Sequence, residues 1–158
     1  MQAVGRRGVF GYFEGYGPDL AYPQDARRIR DEYFGTDGQL LSMLMGGEVY
    51  LPDVDPLNLW NLAKELDLMV GLHVVGSLGM QETMDRLIPH YTDKHLFIHM
   101  TGMSDQAWDR AKEVGAHVSL SVPIEMQMRH GMPPIQKAIN MGMDPSLSVD
   151  VECCKCWT

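Results

Sequence analysis

Apolar residues along this chain come in short runs that end on glycine, proline or a charged residue. Between the runs lie stretches whose apolar positions recur every three or four residues. Arg7 to Phe13 (RGVFGYF) reads as a strand, broken by Gly15, Gly17 and Pro18. Pro23 to Phe34, with Ala26, Ile29 and Tyr33 at helical spacing, reads as an amphipathic helix. Leu40 to Met45 is a buried strand bounded by Gly46 and Gly47. Asp55 followed by Pro56 opens a helix with Leu59, Trp60, Ala63 and Leu66 on one face.

The alternation continues. Val70 to Val75 is a strand with His73 in its middle, and Met80 to Tyr91 is helical, with Pro89 near its end. Leu96 to Met100 is the fourth strand. Ser104 caps a helix that Gly115 ends, with Trp108, Ala111 and Val114 inside. His117 to Val122 is the fifth strand, stopped by Pro123. A helix begins at Pro133 and Pro134, with Ile135, Ala138 and Ile139 inside and Gly142 as its stop. Ser146 to Val151 is the sixth strand. This spacing predicts an α/β protein of about six βα units, a partial (β/α) barrel, over residues 1–152 as one domain.

Composition narrows the class of partner. A formal charge of -8 over 158 residues argues against nucleic acid or an anionic membrane surface, since a phosphate backbone calls for a basic face. Arg27, Arg28 and Arg30 form the dense basic cluster, and Asp25, Asp31 and Glu32 dilute it. No apolar run approaches the ~20 residues that span a bilayer, and the expected compartment is the cytoplasm. All three cysteines, Cys153, Cys154 and Cys156, fall in the tail 153–158, so the body carries no disulfide framework. Together they could bind a soft metal, but a terminal oxidation-prone tail is the preferred reading.

The residues best placed for chemistry are His73, His99 and Asp150. Each lies in or at the end of a strand, and the C-terminal strand ends of a parallel α/β fold share one face, where sites are built. Two imidazoles and a carboxylate suit one divalent ion, zinc before iron or manganese. Such an ion lowers the pKa of bound water. His90, His95, His117 and His130 read as surface or helix-edge residues. Tyr12, Glu14 and Tyr16 follow the first strand and are expected to contact substrate, with Glu14 as a spare acid/base group.

The string from His95 to Glu152 resembles the C-terminal half of the metal-dependent amidohydrolase superfamily, in its cytosine-deaminase-like and chlorohydrolase-like branch. LHVV resembles the fifth-strand segment, which puts His73 on a metal-binding histidine. LFIHMTGMSDQAWDRAKEVGAHVSLSVPIEM resembles the sixth strand through the seventh, which puts His99 on the histidine at the metal or hydrolytic water. SLSVDVE resembles the eighth strand, with Asp150 as the metal-binding, proton-handling aspartate. The likeness implies a (β/α)₈-type fold and hydrolysis of a C–N bond in a small organic substrate.

Departures from that pattern shape the expectations. The family's first-strand His-x-His is absent, and Gly76 stands three residues after His73, where many relatives carry a proton-shuttling glutamate. Six strands against eight point to a truncated member whose exposed edges are covered by a homo-oligomer. Met126, Met128, Met132, Met141 and Met143 would supply an adaptable apolar surface, while Met43 and Met45 fill the core. A single ion at most, or none, is expected. Without a metal, His99 and Asp150 would do acid/base chemistry such as decarboxylation, dehydration or cyclisation. The competing class is a non-catalytic relic that binds a ligand or subunit.

Overall fold

A computed structural model of the chain describes residues 5–15, 21–36, 38–51 and 54–150. Its strands are β1 (Gly8–Tyr12), β2 (Leu41–Gly46), β3 (Met69–Val75), β4 (His95–Thr101), β5 (His117–Leu120) and β6 (Ser146–Leu147). Its helices are α1 (Ala26–Tyr33), α2 (Pro56–Glu65), α3 (Gln81–Leu87), α4 (Asp105–Val114), α5 (Val122–Gln127) and α6 (Ile135–Asn140). The strands form one sheet in sequential order, β1 to β6. Parallel registers join Gly8 to Leu41, Leu44 to Met69, Leu96 to His117 and Ser119 to Ser146. Sequential parallel strands joined through helices make this a partial (β/α) barrel, as the spacing predicts.

The chain divides into two compact units, residues 1–71 and 72–158. In the first, Met43, Met45, Leu59, Trp60, Ala63 and Val70 are buried. Met43 and Met45 thus fill the core as expected. Asp55 caps α2 by accepting from the Leu57 N–H, with Pro56 in the first turn. The carbonyl of Gly47 accepts from the Trp60 indole N–H at 2.9 Å. Tyr22 donates to the Gly46 carbonyl at 2.7 Å.

The second unit is built on β4. Its burial pattern leaves Phe97, His99, Met100 and Thr101 inside, among Leu72, Val74, Met84, Trp108, Val118, Leu120 and Ile124. Each large apolar side chain so buried contributes roughly 1.5–3 kcal/mol. Ser104 caps α4 by accepting from the Ala107 N–H, and Gly115 ends it at φ 75°.

Several expectations needed correction. The fifth strand stops at Leu120, and Pro123 lies in the first turn of α5, a position where a missing N–H costs nothing. β6 is two residues long, so Asp150 lies beyond the strand. Ile135 and Ile139 are exposed on α6, where only Ala138 is buried. Met126, Met128 and Met132 are exposed, in keeping with an apolar surface. Among the described residues no helix is long and apolar enough to cross a membrane. Tyr16, Cys153, Cys154 and Cys156 lie outside the described residues.

Candidate functional site

β4 carries the central residue of the site. His99 is 2% exposed, and the strand enters the left-handed region there, with φ 73° at His99 and 57° at Met100. Left-handed backbone is costly for a residue bearing a side chain, and two in succession persist only where the surroundings hold them. Strain of this kind at the C-terminal end of a parallel strand marks a place where function competes with folding.

The surroundings come from α5 and the turn after it. Glu125 is fully buried, and its Oε1 lies 3.1 Å from His99 Nδ1 while accepting from the Ser121 N–H at 2.8 Å. His130, 9% exposed, stands edge-on to His99 with ring centroids 5.1 Å apart. Its backbone N–H donates to the Glu125 carbonyl at 2.9 Å. Burial holds the His130 ring below the ordinary imidazole range and the neighbouring His99 adds to this, whereas the carboxylates of Asp150 and Glu125 oppose it.

On its other side His99 presents Nε2 to Asp150 Oδ2 at 3.6 Å. That distance is longer than a hydrogen bond. Asp150 is partly exposed and its backbone is also left-handed, at φ 58°. His73, in β3, is half-buried, and its ring lies 5.7 Å from that of His99. His73 and Asp150 therefore each neighbour His99, and Asp150 reaches it from beyond β6.

The donor types are suitable for a divalent ion, and His99 and Asp150 stand close enough to share it. Among the described residues, however, no group of three His, Cys, Asp or Glu side chains is arranged to hold a metal. As they stand, these residues do not make a closed metal site.

Sequence reasoning missed two members of the cluster. His130 is buried rather than superficial, and Glu125 has no role assigned in the sequence reading. The signal was a single acid inside IEMQM, in a segment whose proline conceals a helix start. His95 is also buried, whereas His90 and His117 are exposed as expected.

Tyr12 and Glu14 belong to the first unit. The ring of Tyr12 packs at 5.3 Å from that of Tyr22, and burial raises its hydroxyl pKa, as does the charge of Asp25. The Tyr50 hydroxyl donates to the Glu14 carboxylate. Burial, and then the charges of Glu14 and Glu48, push the Tyr22 hydroxyl above its ordinary range.

No protein-family model and no curated protein matches the sequence. Solved structures do. An adenosine deaminase from Xanthomonas campestris with bound zinc superposes with a TM-score of 0.74 at 21% identity, over 92% of this chain and 37% of that one. A triazine hydrolase from Arthrobacter aurescens gives 0.70 at 14% identity, over 92% and 39%. A guanine deaminase from C. acetobutylicum with bound guanine gives 0.65 at 18% identity, over 90% and 39%. The fold of this chain is that of part of each of these structures. The chain spans about two fifths of their length.

Proposed function

We propose that this chain carries the acid/base part of an amidohydrolase-like hydrolytic site that cleaves a C–N bond in a small organic substrate. The observation that carries the reading is His99, buried on strained backbone with Glu125 at one ring nitrogen and Asp150 at the other. The likeness of fold to two deaminases and a triazine hydrolase supports it and favours a nitrogen heterocycle as substrate.

In this reading Asp150 and His99 Nε2 handle the proton. A water oxygen adds to the electrophilic carbon, its proton passes to Asp150 or to His99 Nε2, and the C–N bond breaks as that proton is delivered to the departing nitrogen. Proton and electron pair balance within the one hydrolytic step. Partial burial strengthens each charge interaction involved, because the local dielectric is lower than that of water. His73, His99 and Asp150 are the residues this chain would offer to a divalent metal, whose contribution when bound is a more acidic water.

A second reading follows from the same pair of carboxylates. An imidazole between two acids can move protons unaided, which suits a metal-free lyase, dehydratase or cyclase. Elemental analysis of protein purified without chelator, alongside His73→Ala and Asp150→Ala, separates the two. Near-stoichiometric zinc, iron or manganese that is lost in both variants supports the hydrolase, and screening of amino-substituted heterocycles follows. Protein without metal in any sample removes the metal-assisted form. Proton-transfer activity that survives chelation and disappears in Asp150→Asn would then establish the second reading.

A further inference from the structure

We infer that Glu125 is a positioning residue that fixes the tautomer of His99, with the proton on Nδ1, so that Nε2 is the nitrogen that acts. The inference deepens the functional reading above by assigning a role to a residue outside the His73, His99 and Asp150 set.

The argument starts from what a buried carboxylate can accept. Glu125 Oε1 receives the Ser121 N–H at 2.8 Å, a bond whose direction is fixed because a backbone amide only donates. The same oxygen lies 3.1 Å from His99 Nδ1. Oε1 is thus already serving as an acceptor, and the contact with Nδ1 is attractive when Nδ1 bears the hydrogen. The reverse tautomer would set a ring lone pair against a carboxylate oxygen where water cannot screen them, since His99 and Glu125 are 2% and 0% exposed. With Nδ1–H committed to Glu125, Nε2 is the nitrogen left to face Asp150, whose Oδ2 lies 3.6 Å away, beyond hydrogen-bond distance, on a side chain that water reaches.

The backbone supports the same assignment. Ser121 and Glu125 are joined twice, through the side-chain contact and through the Glu125 N–H donating to the Ser121 carbonyl at 3.0 Å. α5 is short, so this local closure holds the carboxylate in place. His130 then closes the turn on the Glu125 carbonyl and lays its ring edge against His99. The imidazole of His99 is thus oriented from two sides by one segment, and the left-handed backbone at His99 is offset by contacts that a relaxed strand would not make. An outer acid that orients an imidazole commonly matters as much as the imidazole.

The test reads the tautomer directly and needs no substrate. Two-bond proton–nitrogen correlation spectra of the imidazoles in ¹⁵N-labelled full-length protein at neutral pH are assigned with His99→Asn. The expected wild-type signature is a protonated-type shift at Nδ1 and an unprotonated-type shift at Nε2. Glu125→Gln should keep it, because the amide oxygen accepts the same hydrogen, whereas Glu125→Leu should move the proton to Nε2 or give a mixture. Wild-type His99 protonated at Nε2 or at both nitrogens overturns the inference, as does Glu125→Leu with the wild-type pattern. If Glu125→Leu does not fold, the wild-type and Glu125→Gln spectra decide, and a proton on Nε2 in either overturns it. The metal and turnover measurements above can fail without touching this result, and the reverse also holds.

Discussion

Gly76 and Gly102 meet backbone to backbone: a β carbon built on Gly76 would lie 2.8 Å from the α carbon of Gly102, and 2.9 Å from its carbonyl oxygen. Each follows a strand, Gly76 after β3 and Gly102 after β4, and Gly102 has φ 66°. An acidic side chain three residues after His73 therefore has no room without displacing the neighbouring loop. Gly76→Ala should destabilise the protein by about 1–3 kcal/mol, since the opposing atoms are backbone and cannot rotate away. Ser77→Ala, on the exposed side of the same turn, should stay within about 0.5 kcal/mol. Urea denaturation of both variants checks this, and equal stabilities would remove the steric argument.

The legible part of the fold was the part that periodicity and capping dictate. Asp55-Pro56 and Ser104 marked helix starts correctly, because the capping oxygen and the following apolar stripe are local features. LFIH and LHVV mark strands by their apolar runs, and His73 and His99 stand within them. Glu125 and His130 were not legible. Their meaning depends on α5 folding back so that a side chain 26 residues beyond His99 meets its ring. Pro123 looked like a strand terminator, yet a proline just after a strand serves equally well in the first turn of a helix. Asp150 falls within the expected strand Ser146 to Val151, whereas the pairing of β6 extends only to Leu147.

Trp60 ties α2 to the loop after β2 through one buried hydrogen bond. Its indole N–H donates to the Gly47 carbonyl at 2.9 Å, and a β carbon on Gly47 would clash with both Trp60 and Val70. Trp60→Phe keeps an aromatic ring and removes the donor, which leaves the carbonyl unpaired. The expected loss is about 1–3 kcal/mol, the cost of a buried unsatisfied acceptor together with a small cavity. Urea midpoints of wild type and variant measure it, and an unchanged midpoint would mean that the bond contributes nothing net.

Ser104 performs two tasks with one hydroxyl. Its oxygen accepts from the Ala107 N–H at 3.1 Å as the cap of α4, and its hydrogen is donated to Asp85 Oδ1 at 2.5 Å. Ser104→Ala removes both and should cost about 1–2 kcal/mol. Ser104→Asp restores the cap but sets two carboxylates together, so it should recover little of that loss at neutral pH and more as the solution is acidified. Thermal unfolding of the two variants at two pH values tests the pairing. Full recovery by Ser104→Asp at neutral pH would show that Asp85 is a bystander.

His95 should give the second unit a titratable dependence on acid. The ring is 3% exposed at the start of β4, and its Nδ1 accepts from the Thr92 N–H at 3.0 Å, which requires the nitrogen to be unprotonated. Burial pushes its pKa down from 6.5 to about 4, partly opposed by the Thr92 backbone and Asp93. Unfolded protein takes up this proton near 6.5 and folded protein only near 4, so between those values the unfolded state binds more protons and stability rises with pH. His95 therefore contributes stability that is fully present above the upper value and lost as pH falls toward the lower one, by roughly 3 kcal/mol in all. His95→Asn retains an acceptor for Thr92 and removes the titration. The stability difference between wild type and His95→Asn, measured by urea unfolding, should shrink across that window as acid protonates the wild-type ring on unfolding. A difference that stays constant with pH would mean that the buried imidazole titrates as it does in water.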